Sequence, residues 1–174
     1  MYYFLLFINF CFFILGNIVY SPMLESYLPS IFVFNLEIPI IKILVSELAF
    51  ICLYTFLDKG NTQYNLTFPL LSLVITWQFL FPHWDFLFYS KYVQYFSILI
   101  SSIAIIVNTI VVKRLVSKGY TKLFSSRTAS VVASMVEISM FAFLLDIGVQ
   151  GAVSTAITRI IYVTIIPRLV FNKK

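Results

Sequence analysis

Apolar runs of about 20 residues, divided by short polar breaks, fill this chain from end to end. A helix needs about 20 residues to cross a hydrocarbon core roughly 30 Å thick. Six runs can be read that way: Tyr2–Tyr20, Ile38–Leu57, Leu66–Phe81, Tyr92–Val112, a run from Arg127 to Asp146, and Gly151–Phe171. The pattern predicts an all-α, polytopic membrane protein, a bundle of six transmembrane helices forming one integral membrane domain over residues 1–174. Between the runs, Ser21–Glu37 reads as an outer loop with Pro22, Pro29 and a partly embedded apolar piece at Ile31–Phe34. Asp58–Asn65 reads as a short inner turn, and Lys113–Arg127 as a basic inner loop.

The fifth and sixth runs face each other across a turn at Asp146–Gly151, and each holds one charge deep inside it, Glu137 and Arg159. With the turn centred between Gly148 and Val149, both lie about eleven residues away, or about 16 Å at about 1.5 Å per residue. That is near the middle of the bilayer. A charge there costs roughly 2.5–3.5 kcal/mol, so a partner is expected. Arg127, Ser130, Ser134 and Glu137 fall within about 80° of one another on a helix, a polar seam aimed at other helices rather than at lipid. In the second run, Lys42 and Glu47 are about 140° apart and cannot easily pair. Lys42 can snorkel to the outer interface, whereas Glu47 is left at mid-depth without a partner in its own helix. Ser97, Ser101, Ala104 and Asn108 make a further small-and-polar seam, suited to close helix packing.

Composition strengthens this reading. Of 174 residues, 61% are hydrophobic and only 11% charged, with mean hydropathy +0.98; soluble domains run at about 25% charged. The net charge of +5 is local. Lys59, Lys113, Arg114, Lys118, Lys122, Arg127, Arg168, Lys173 and Lys174 fall on the inner side of a six-span plan with both termini cytoplasmic, and Lys91 on the outer. The basic loop is therefore a topological signal and not a nucleic-acid site. Cys11 and Cys52 lie in apolar runs and read as unpaired packing residues. The first run lacks a basic leader region and a small-x-small cleavage site, so it is expected to remain as a span.

No catalytic constellation is legible. The lone histidine, His83, is in a loop with Asp85, too few ligands for a metal site, and no phosphate loop, Cys-x-x-Cys pair or nucleophile elbow occurs. An enzyme is not expected, nor a cofactor. What remains is a mid-depth cluster of Glu47, Glu137 and Arg159, which reads either as a structural ion pair or as a site for a small polar or cationic ligand or a proton.

Four stretches together resemble the VUT family of vitamin and base uptake transporters, which includes the queuosine-precursor transporters. They are Gly16-Asn17; Ile38-Pro39 leading to Ser46-Glu47-Leu48; Lys113-Arg114-Leu115 followed by Arg127-Thr-Ala-Ser130, Glu137 and Phe141; and Arg159 upstream of Pro167. The chain departs from the family in having Glu where Asp is usual, Arg where Lys is frequent in the last span, and shorter loops. The resemblance implies import of a 7-deazaguanine base across the cell (inner) membrane. It implies a site drawn from Asn17, Glu47, Ser130, Ser134, Glu137, Phe141, Arg159 and Tyr162. A carboxylate of Glu137 or Glu47 would accept the paired N–H groups of a guanine-like edge, Asn17 would bond another edge, and Phe141 or Tyr162 would stack on the ring. Arg159 would orient a carboxylate or bond a ring acceptor. Two rivals stay open: a substrate-binding membrane subunit of an ATPase-coupled vitamin importer, and a structural or pore-forming membrane protein. Self-association of identical chains is compatible with all three.

Overall fold

The computed structural model describes residues 1–18, 31–33, 36–38, 40–80, 91–145 and 148–171. The apolar runs become six helices: α1 (Tyr2–Ile18), α2 (Ile40–Asn61), α3 (Thr67–Leu80), α4 (Lys91–Ser117), α5 (Lys122–Leu145) and α6 (Gly148–Phe171). Within the expected outer loop stand two short strands, β1 (Ile31–Val33) and β2 (Leu36–Ile38), paired antiparallel with Phe32 opposite Glu37. Ile, Phe and Val favour extended backbone, and pairing gives the backbone groups of so short a segment their partners. This pair is an addition to the helical plan.

Helix ends follow capping chemistry more closely than hydropathy. α2 runs on through Asn61, so Asp58 belongs to the helix and not to a turn. Asn61 then receives the start of α3: its side-chain oxygen accepts from the Thr67 amide at 3.2 Å, and its amide donates to Thr67 Oγ1 at 2.7 Å. The basic stretch expected as a loop is almost wholly helical, with only residues 118–121 between α4 and α5. Gly119, at φ +86°, ends α4 in a Schellman turn. The Tyr120 amide reaches back to the Leu115 carbonyl (3.2 Å) and the Gly119 amide to that of Val116 (3.0 Å). Thr121 caps α5 by accepting from the Phe124 amide at 3.3 Å. α6 continues to Phe171 with Pro167 inside it.

Side-chain contacts fix the helix directions. α1 and α2 are antiparallel, since Gly16 faces the Phe50 ring while Leu5 lies near Gly60. α5 is antiparallel to α4 and to α6, through Ser101 with Glu137 and Arg127 with the Thr164 carbonyl. α3 runs alongside α1, with Tyr2 on Tyr64 and Phe10 on Trp77. The helices therefore alternate in direction. The ends of α2, α4 and α6 gather with the starts of α1, α3 and α5 at one end of the bundle, together with Lys59, Lys113, Arg114, Lys118, Lys122 and Arg168.

Polarity is distributed inside out. Asn9, Glu47, Asp58, Ser101, Asn108, Ser126, Ser130, Glu137 and Arg159 are buried, while Phe4, Phe68, Met135, Phe143, Ile160 and Leu169 are exposed. An apolar exterior around a polar interior suits hydrocarbon as the solvent. Among the described residues, three stretches are long and apolar enough to cross a membrane: Tyr95–Ser117, Lys122–Leu144 and Ala152–Phe171. Tyr2–Gly16 and Thr67–Trp77 are apolar but shorter, and α2, at 22 residues, carries Lys42, Glu47, Asp58 and Lys59. An apolar core of Phe13, Phe50, Tyr54, Leu57, Leu70 and Ile105 joins α1 to α4. α3 contributes Leu70 and Val74, with Leu66 just before its start, and Ser72 and Thr76 face outward.

Candidate functional site

The mid-depth charges meet. The guanidinium of Arg159, near the middle of α6, is shared between two carboxylates: its Nε donates to Glu47 Oε2 from α2, and its Nη1 to Glu137 Oε2 from α5. All three side chains are almost wholly buried. The matched depths of Glu137 and Arg159 that the turn predicts are thus realised, and Glu47 finds on α6 the partner it lacks on α2.

Three side chains beyond the expected site residues complete the centre. Tyr54 donates its hydroxyl to Glu137 Oε2 at 2.9 Å, and Ser101 donates to Oε1 at 3.2 Å. The Phe50 ring lies under the guanidinium, with Arg159 Cζ 5.4 Å from its centroid, a cation–π contact. Gly16 makes room for that ring, because a Cβ there would lie 3.0–3.2 Å from three of its atoms. The signal for Tyr54 was present: it is seven residues from Glu47 and so falls on the same face of α2, within about 20°. Ser101 was read only as part of a packing seam.

The other expected site residues divide. Ser130 and Ser134 are buried on the Glu137 face of α5, and among the described residues neither hydroxyl has a hydrogen-bond partner. Tyr162 is half-buried one turn from Arg159 and packs on the apolar core. Phe141, one turn beyond Glu137, is half-buried and forms no bond or ring contact with the centre among the described residues. Asn17 belongs to the last turn of α1, and its side chain lies outside the described residues, as do Pro82–Asp85. Cys11 is exposed on α1 rather than packed inside, and both cysteines are free, as expected.

A third buried carboxyl, Asp58, lies inside α2 rather than in the turn that its charge suggests. Asn108 of α4 donates to its Oδ1 at 2.7 Å, and Ser126 of α5 donates to its Oδ2 at 2.6 Å. Beside it, Thr67 and Thr109 share a hydrogen bond at 2.8 Å. The signal was again helical spacing: Asp58 lies eleven residues from Glu47, within about 20° on the same face.

Chemically, the centre holds two carboxylates against one guanidinium, one negative charge in excess when all are ionised. Such a site favours a bound cation, a proton or a ligand rich in N–H donors. Comparison with protein-family models, with curated proteins and with solved structures finds no match to this chain.

Proposed function

We propose that the chain crosses the membrane with all six helices, both termini on the cytoplasmic side, and imports a small polar nucleobase-like compound through the Glu47–Glu137–Arg159 centre. The observation that carries this reading is the shared guanidinium: ionisable groups from three separate helices, buried together at mid-depth, with one carboxylate more than there are cations to match it. Charges held at that depth are costly and mark ligand or ion paths. The alternating helix directions and the cations gathered at one end support the orientation.

The resemblance to the VUT family narrows the ligand to a 7-deazaguanine base, a queuosine precursor. The chemistry of the centre suits one. The edge of a guanine presents adjacent N–H donors spaced much like those of a guanidinium, which carboxylates bind in a bidentate manner. The base can therefore take the place of Arg159 on Glu137 while Arg159 stays on Glu47. Tyr54 and Ser101 hold Glu137 in place for the exchange.

The rival favoured by a specific observation is a purely structural triad, since Arg159 already satisfies both acids. Glu47→Gln and Glu137→Gln separate the two. In cells unable to make the base but fed with it, the wild-type chain is expected to restore queuosine in tRNA, and each variant to insert normally yet restore little. Restoration by both variants would leave the triad structural. A failure of well-inserted wild-type protein would end the 7-deazaguanine reading, and a requirement for a co-purifying ATPase would favour the importer-subunit alternative.

A further inference from the structure

The import reading leaves Asp58 without a role. It is a carboxyl at the basic end of the bundle, beyond the inner limit of the second apolar run at Leu57, and only 2% exposed. Its two partners, Asn108 from α4 and Ser126 from α5, are neutral. Among the described residues no cation pairs with it. On α4, Lys113 bonds Asn65, and on α5, Arg127 bonds the Thr164 carbonyl and Lys122 is exposed. From α1 and α6, the other helices against α2, this end carries Tyr2 and Tyr3 and the exposed Arg168. A buried carboxyl without a cation is held more cheaply with a proton than without one.

The second observation is on α5. Ser126, which bonds Asp58, and Glu137, which bonds Arg159, stand on one face about 16 Å apart. Between them on that face are Ser130 and Ser134, both buried, both with hydroxyls that have no partner among the described residues. Isolated buried hydroxyls are costly. A row of them joining two buried acids is the arrangement a proton relay requires.

We infer that Asp58 is a second proton-binding site, on the cytoplasmic side, joined to the central carboxylates by the hydroxyls of Ser134, Ser130 and Ser126. Successive hydroxyls one turn apart, with Cβ atoms about 5–6 Å from each other, stand at a spacing that single waters can bridge. Once Asp58 has released its proton to the cytoplasm, a proton leaving the centre enters at Ser134 and another passes from Ser126 to Asp58. Each serine accepts one proton and releases another, so none changes charge, and Asp58 is left protonated again. In the import reading, on which this direction of flow rests, the proton that travels inward with the base leaves by this path.

Infrared titration of the full-length protein tests the site without any substrate, so its outcome is independent of whether the base is carried. The C=O stretch of a protonated carboxyl is expected to persist near neutral pH, where an exposed aspartate of pKa about 3.9 is ionised, and to vanish in Asp58→Asn. Absence of that band in folded wild-type protein would overturn the proposal. The route is tested by Ser130→Ala with Ser134→Ala, which removes only two oxygens. In proteoliposomes given a pH gradient, proton passage followed by a trapped pH-sensitive dye should be about tenfold slower in the double variant. An unchanged rate would rule the serine path out.

Discussion

Arg159 sets the energetics at the scale of single residues. Arg159→Ala strands two carboxylates in the interior and is expected to destabilise the protein by about 3–5 kcal/mol, read from thermal unfolding in detergent. Tyr54→Phe removes one hydrogen bond to a charged acceptor and should cost about 1.5–3 kcal/mol in the same measurement. Gly16→Ala acts at a distance from any charge. Its methyl group would meet the Phe50 ring, which must shift, so a loss of about 1–3 kcal/mol is expected, and a parallel Phe50→Leu variant should tolerate the added methyl group better. The charged members of the centre were legible because each breaks a long apolar run. Tyr54, Phe50 and Ser101 were not, since an aromatic residue or a serine in such a run is indistinguishable from ordinary packing until a partner on another helix is known.

Among the elements, the α4–α5 connection shows how little separates a loop from a helix. Gly119 has nothing within 4 Å of a built Cβ, yet its φ of +86° disfavours any other residue. Gly119→Ala should therefore lower stability by about 1–2 kcal/mol through backbone strain alone. Thr121→Ala should cost about 1 kcal/mol by removing the cap of α5, and thermal unfolding of each variant checks both values. The existence of the six helices was readable from apolar run length, and their ends were not. Charge suggests boundaries at Asp58 and across Lys113–Arg127, but lysine and arginine are good helix formers, and Asp58 is bonded by neighbouring helices. The strand pair escaped notice because three residues per strand give too short an alternation to register.

For the molecule as a whole, the proposed orientation places the basic end in the cytoplasm. In a Cys11→Ser, Cys52→Ser background, Lys118→Cys is expected to react with a membrane-impermeant maleimide in inverted vesicles and to be protected in intact cells. Labelling from the outside would reverse the orientation. One arginine ties α2, α5 and α6 together, and this has a consequence for how such a chain can change over generations. Losing Arg159 alone strands two buried carboxylates, so loss of the arginine must be coupled to loss of both acids. A saturation library scored for folded protein should show strong sign epistasis here: Arg159→Met, damaging by itself, is rescued when Glu47→Gln and Glu137→Gln accompany it, and the three codons behave as one heritable unit.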